Sequence, residues 1–585
     1  MTVDHLTPEL FELAQRHLVT KALSEFSHER LLSPQPHGDR WRLTSPAGDT
    51  TYTFVARRHA LEHWSVDPAT VVREIKDEPA PLDAQQLVVE FAESLGIPDA
   101  LLATYVEELA STLASTAWKL HHRAIPVSDL VDADHQTIEA AMTEGHPAFV
   151  ANNGRLGFGI DDYEQWAPET GRTTRLVWVA ARRSLTHLSL GAGLTEETLY
   201  DAELGANDRE RFNGVLTRLG LDPADYLLLP VHPWQWRQKI TVTFAPDVAR
   251  RDLVLLGEGT DEMAPQQSIR TFANRSEPWR SFVKTALAIQ NMGFVRGLSP
   301  AYMTHTPAIN DWVHELVAGD ETLRECGFSV LRERAAIGYT GDAFHALGST
   351  SPQRKMIAAL WRESAQPRLG DGERLMTMAA LLHRDHERAS LVTALVEASG
   401  LEPAAWLAAY LRVYVRPVVH CLLAHDLAYM PHGENLILVL QDHVPVRAVM
   451  KDIGEEVALM RPEAEVPEDV ARICVDVPAE VKPLALHTDV FDGFLRHLAA
   501  ILHDEGVLGE AEFWQLVSEC VADHAADHPE LAAAAAAYDF FTPEFAHSCL
   551  NRLQLRNTLQ MVDLSDQAES LIYAGSLANP IAPAG

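Results

Sequence analysis

The sequence predicts an α+β chain in which a β-rich middle region is flanked by two helical regions. Three observations carry this expectation. The first 140 residues place apolar side chains at three-and-four spacing, in runs such as "LDAQQLVVEFAESLG" and "LATYVEELASTLASTAWKLHHRA". From about "GHPAFVANNGRLGFG" short β-branched and aromatic runs alternate with Gly and Pro turns. Beyond residue 320 helical spacing returns, interrupted by one hairpin. At about 150 residues per domain the 585 residues allow two to four domains, and the changes of texture divide them into 1–140, 141–320 and 321–585.

The first region is expected to be helical with one hairpin, "RWRLTSPAGDTTYTFVARR", turning at Pro-Ala-Gly-Asp. In the second, "TRLVWVAA", "YLLLPVHPW", "ITVTF" and "DLVLLGEG" are strand candidates. In the third, "AAWLAAYLRVYV" and "PVVHCLLAHDLAYM" are helical on either side of Pro417, which should kink or divide the helix. "LILVL" and "VRAVM" then pair across "QDHVP". A hairpin centred near His443 sets Leu436 opposite Met450 and gathers Glu434, Asn435, Lys451 and Asp452 at its open end. The alanine run near 532 suits a helix, and the tail "LANPIAPAG" is expected to fray.

Composition narrows the function. Lys and Arg number 48 against 82 Asp and Glu, a formal charge of −34, which argues against a general nucleic-acid or anionic-membrane surface. It favours a cationic small substrate, and an anionic ligand would need a locally basic pocket. Five scattered cysteines form no CxxC pair, so buried reduced thiols are expected. The acidic N-terminal helix start is no secretory signal, and no run is judged long enough to span a bilayer, which points to the cytoplasm.

Four segments could carry chemistry. The glycine-rich "GHPAFVANNGRLGFG" offers Gly154 for close backbone approach to phosphate and Arg155 as a forked donor, without the Lys-Ser/Thr ending of a P-loop. "APQQSIRTFANR" puts Ser268 and Arg270 two apart, on one face if it is a strand. "WRSFVKTALAIQNMGFVRGLSP" adds Lys284 and Arg296, cations that would be costly to bury without something negative. The hairpin adds Glu434, Asn435 and Asp452 as oxygen ligands suited to Mg²⁺, with His432 placed to donate to a phosphate. "PVHPWQW" alternates His232, Trp234 and Trp236, which suits a strand edge in a core or a pocket wall.

In this order, "GHPAFVANNGRLGFG", "HPWQW", "SIRT" followed by "VKTALAIQNMGFVRG", "HGEN" and "KD" resemble the siderophore synthetases that work independently of non-ribosomal peptide synthetases, the IucA/IucC family, and look closest to its DesD-like desferrioxamine synthetases. The resemblance implies a cupped fold of helical thumb, β-rich fingers and helical palm, with ATP and Mg²⁺ between fingers and palm. It implies adenylation of a carboxylate with release of pyrophosphate, then attack by an amine to give an amide and AMP. By motif, Arg155, Ser268, Arg270, Lys284 and Arg296 resemble phosphate and carboxylate contacts, His432 and Asn435 phosphate and metal contacts, and Asp452 the Mg²⁺ ligand. A homodimer is the family's usual state. The substrates implied are small hydroxamate acids and amines, N-hydroxy-N-succinylcadaverine in the DesD-like branch, joined head to tail and closed into a ring.

The chain departs from the pattern in three places. Phe149-Val150 and Asn153 stand where many members carry His-Pro and lysine, Met292 where Thr is frequent, and Glu434 where Gln is common. Losing a cationic donor fits an acyl substrate less anionic than citrate. Two other readings compete. A phosphotransferase also places Asn before one strand and Asp after the next, although no kinase Gly-rich loop precedes them here. A ferric-siderophore-binding protein would use the 27 histidines without consuming ATP.

Overall fold

Local signals start the chain. In the computed structural model, which describes residues 3–122, 125–347, 351–556 and 572–583, Thr7 caps helix Pro8–His28 by accepting the Leu10 N–H, and Pro8 occupies the first turn. The expected hairpin follows, pairing Leu43 with Tyr52. It is the centre of a five-stranded antiparallel sheet that also takes in Gln35–His37, Val72–Ile75 and Glu78–Ala80. These three strands correct the expectation of a helical first region. They are short, mostly exposed and rich in charge, so no apolar alternation announces them. Tyr52 and Phe54 pack the sheet onto helix Pro8–His28, beside helix Asp99–His122.

The middle region holds two larger sheets and one small hairpin, Gln290–Asn291 with Phe294–Val295. Val177–Arg182, fully apolar up to its last residue, is the centre of a three-stranded antiparallel sheet between Tyr226–Val231 and Leu253–Glu258. A six-stranded antiparallel sheet runs in the order Met263–Pro265, Thr271–Asn274, Phe282–Thr285, Ala358–Arg362, Glu333–Tyr339, Thr186–Leu190. Two of its strands lie beyond residue 320, so the β-rich texture continues to Arg362. "ITVTF" is not a strand. Pro233 at the first helical position, with His232 accepting the Trp234 N–H at 3.0 Å, starts a turn that runs as a π-helix through Trp236–Ile240 into Thr241–Thr243. The cap and the proline override the β preference of Ile240, Thr241 and Val242. His232, Trp234 and Trp236 therefore sit on a buried helical turn and not along a strand edge.

In the last region helix Pro403–His425 passes through Pro417 undivided. By length and composition it could cross a membrane, which the sequence reading overlooked, but 72% of its apolar window is buried as the spine of the largest core. The late hairpin forms as expected, Leu436–Gln441 with Val444–Met450, and Leu436 faces Met450. Asp442 and His443 turn it with φ of 48° and 66°. Glu373–Thr377 flanks one strand and Phe328–Val330, in parallel, the other. Alternation decides the packing: Leu436, Leu438 and Leu440 enter the large core, while Ile437 and Val439 join a smaller one. The tail does not fray up to residue 583. Asn579 donates to the Phe540 and Thr542 carbonyls, and Ile581 is buried. All five cysteines are free thiols.

Gly454 marks how tightly the hairpin's exit is held. A Cβ there would lie 2.4 Å from Glu333 Oε2 and 2.5 Å from Thr306 Cγ2. Gly454→Ala is expected to destabilise the protein by about 1–3 kcal/mol, seen as a lower urea midpoint with an unchanged slope.

Candidate active site

The six-stranded sheet and the hairpin meet through charge. Lys284, on strand Phe282–Thr285, bonds Asp452 Oδ1 at 2.6 Å and Glu455 Oε2 at 2.9 Å. Arg362, on the neighbouring strand, donates to the same Asp452 oxygen and to Glu333 Oε1 at 2.8 Å. Burial opposes ionisation of Lys284, Arg362, Asp452 and Glu455. Arg362, then Lys284, nevertheless hold the Asp452 carboxyl well below its ordinary range, while Asp452 and Glu455 hold the Lys284 ammonium above its own.

Beside this network stand two arginines without acids. Arg270 follows a tight turn in which Ile269 has φ of 57°, and its carbonyl accepts the Thr285 N–H, next to Lys284. Ser268 and Arg270 thus sit in the turn before strand Thr271–Asn274, not on a strand as expected. The Arg270 guanidinium donates Nη1–H to the Gly297 carbonyl. Arg296 leaves the small hairpin turned by Met292 and Gly293, donates Nη2 to Asn291 Oδ1 at 2.6 Å, and keeps Nε buried without a partner. Among the described residues neither arginine has a carboxylate at ion-pair distance. Burial first, and Arg270 second, bring the Arg296 guanidinium down to about 10. Ser268 Oγ is also buried and unpartnered. Two repelling cations and an orphan hydroxyl make a place for an anion.

The hairpin's open end supplies oxygen. Asn435 gives Nδ2 to Glu456 and to the Met430 carbonyl at 3.0 Å, and its own carbonyl accepts the Lys451 N–H at 2.9 Å, which fixes the expected juxtaposition. Glu434 lies within electrostatic reach of Arg296. Burial, then Asp452, push the Glu456 carboxyl up to about 8. Burial and a like charge beside it set that value, and the oxygens of Glu456, Asp452, Asn435 and Glu434 are of the hard kind that suits Mg²⁺. His432 accepts the Glu434 N–H at 3.3 Å and lies edge-on to His146 at 5.6 Å, and burial lowers the pKa of both rings.

Two residues of the glycine-rich segment sit differently from expectation. Both terminal nitrogens of Arg155 are bound to Glu169, at 2.9 Å for the Nη2 bond, under the Tyr163 ring. Its fork is occupied by a protein carboxylate, so it is not an open phosphate donor here. A Cβ on Gly154 would lie 2.9 Å from the Glu108 carbonyl, so that glycine admits a helix and not a ligand. Its carbonyl accepts Asn291 Nδ2 at 2.8 Å, which ties the segment to the Arg296 hairpin.

Sequence reasoning missed Arg362, Glu333, Glu455, Glu456 and Glu108. The acids after "KD" were a readable signal; nothing local marked Arg362. Glu108, from helix Asp99–His122, accepts the Gly293 N–H at 2.8 Å, and burial raises its carboxyl to about 7.

A model described as the IucA / IucC family matches residues 134–383, and one described as ferric iron reductase FhuF-like transporter matches 404–563. A putrebactin synthase of Shewanella sp. (strain MR-4) is 46% identical over 99% of this chain and 92% of its own length. An aerobactin synthase of Escherichia coli is 31% identical over 93% of this chain and 94% of its own. The structure of aerobactin synthetase IucC from Klebsiella pneumoniae superposes with a TM-score of 0.84 at 30% identity, covering 98% of both chains. Petrobactin biosynthesis protein AsbB from Bacillus anthracis gives 0.87 at 23% identity over 99% and 96%. The three-part fold is that of these proteins.

Two outcomes test the charge network. Lys284→Met leaves Asp452 and Glu455 short of a buried cation and is expected to cost about 3–5 kcal/mol in urea unfolding. Glu108 binds a proton in the folded state between its ordinary range and about 7, whereas the unfolded chain releases it earlier. Its contribution to stability is therefore present at low pH and lost as pH rises from about 4.5 to 7. Wild type should lose stability relative to Glu108→Gln between pH 5 and pH 8, and parallel profiles would remove Glu108 from the account.

Proposed function

This chain belongs to the IucA/IucC family of siderophore synthetases, and from that premise we propose that it joins hydroxamate monomers by amide bonds, oligomerising and macrocyclising N-hydroxy-N-succinylcadaverine to a desferrioxamine. ATP-dependent adenylation and condensation are the family's reaction. The observation that supports adenylation in this cleft is the pair Arg270 and Arg296, held without a counter-ion beside Lys284.

A carboxylate attacking the α-phosphorus of ATP approaches a group of its own sign. Arg270, Arg296, Lys284 and Ser268 would lower that repulsion and stabilise the charge that develops on the phosphoryl oxygens. Asp452, Glu434 and Asn435, together with Glu456, would hold Mg²⁺, which when bound supplies further neutralisation of the phosphates. His432, kept neutral by burial, would donate to a phosphate oxygen or orient the carboxylate. Pyrophosphate leaves, and the terminal amine of a second monomer attacks the acyl adenylate. The formal charge of −34 favours the approach of that ammonium. Ring closure competes with further growth because tethering raises the amine's effective concentration.

Arg155 is paired with Glu169 and Asn153 stands in place of a lysine, and this loss of free cations supports an acyl substrate less anionic than citrate. The likeness to a putrebactin synthase supports a siderophore product, and diamine length is the variable to be measured. A homodimer belongs to the same proposal and rests on the family resemblance.

Arg270→Ala should reduce pyrophosphate release by about 10²-fold or more while unfolding at an unchanged urea midpoint. Full activity in the folded variant would take Arg270 out of the site. Incubation of the wild type with ATP, Mg²⁺ and monomers of four- and five-carbon diamines, followed by mass spectrometry, is expected to give AMP, pyrophosphate and cyclic oligomers. ADP as product would favour a phosphotransferase, and preferential activation of citrate would overturn the substrate assignment.

A further inference from the structure

Helix Pro403–His425 ends with two histidines directed at one carboxylate oxygen. His420 Nε2 lies 3.0 Å and His425 Nε2 lies 2.9 Å from Asp320 Oδ2. Asp320 caps helix Glu321–Glu325, and its other oxygen accepts the Leu323 N–H at 3.0 Å. That bond fixes the carboxylate and leaves Oδ2 facing the imidazoles. On the far side of His420, Nδ1 stands 3.0 Å from Nε2 of His524, a wholly buried ring whose own Nδ1 has no partner. None of these residues belongs to the cleft between Lys284 and Asp452.

We propose that Asp320, His420 and His425 bind a divalent first-row transition ion, with His524 as the residue that positions His420. Two imidazoles and one carboxylate, with the remaining positions open, form a facial donor set for such ions. At metal–ligand bonds of about 2.1 Å, adjacent donors on an octahedron lie about 3.0 Å apart. The two separations to Asp320 match that spacing, and the three donor atoms lie within 4.8 Å of one another. His420 also has the outer partner that a ligating histidine needs: Nδ1–H can donate to His524, which leaves the Nε2 lone pair for the ion. The ion can enter, because His425 and Asp320 are only part-buried while His420 is enclosed. A groove of about 430 Å³, lined by Thr322, Arg416 and Cys520 among others, opens one helical turn from His420 and His524. Imidazole donors disfavour Mg²⁺, so the magnesium needed for adenylation does not compete. His425 stands seven residues before His432. An ion here would anchor the helix end from which the His-Gly-Glu-Asn loop departs.

The experiment equilibrates the full chain with micromolar Zn²⁺ in millimolar Mg²⁺, removes free ions by gel filtration and counts bound zinc by mass spectrometry; Co²⁺ substitution adds a visible spectrum that reports nitrogen ligation. One ion per chain is expected, with a rise in thermal midpoint. His425→Ala, at a part-exposed helix end, and Asp320→Asn should each weaken binding by more than about 10-fold and abolish the thermal shift. His524→Ala should weaken binding less and shift the Co²⁺ spectrum. The proposal is overturned by a wild type that retains no stoichiometric zinc, or by binding that survives His425→Ala with unchanged affinity. Should Asp320→Asn fail to fold, the His425→Ala measurement decides alone.

Discussion

Asp452 is the residue on which the cleft closes. One carboxylate, at the exit of a hairpin in the last region, accepts Lys284 and Arg362 from two adjacent strands of the six-stranded sheet. The ion network thus ties the sheet to the hairpin's exit. Because that network satisfies Lys284 and Arg362, the neighbouring Arg270 and Arg296 are left without acids. The fold thus separates cations that hold the structure from cations that await a ligand. Removing one partner of a buried pair is far more damaging than adding a counter-ion to an unpaired charge.

Much of this architecture was legible. Centring the hairpin near His443 put Leu436 opposite Met450 and brought Asn435 and Asp452 together, but the turn is the two residues Asp442 and His443, and a bulge between Val439 and Leu440, which the sequence did not announce, restores that register. Strand Val177–Arg182 and its neighbours announced themselves as continuous apolar runs. The failures have physical causes. Ile240–Phe244 carries strand-forming residues, but a capping histidine and a proline upstream had already started a helical turn. The first sheet is short and half-wet, so its periodicity is weak. Arg362 and Glu333 act through pairing between distant segments, which one-dimensional spacing does not encode.

The glycine-rich segment teaches a narrower lesson. Its glycines and its arginine looked like a phosphate cradle, yet Gly154 admits the Glu108 backbone and Arg155 is closed on Glu169. The same residue types serve close packing of a helix against a loop. What reaches the cleft from this segment is His146, edge-on to His432, and an indirect link through Asn291 to Arg296.

The left-handed conformation at Ile269 carries a consequence for evolution. A β-branched residue with positive φ is strained by about 1–3 kcal/mol, and it lies between Ser268 and Arg270. Glycine would relax the backbone there, and a lineage selected only for heat resistance would gain by adopting it. It would also let the flanking hydroxyl and guanidinium wander. Persistence of the bulky side chain under such selection would therefore record a demand for catalysis over durability.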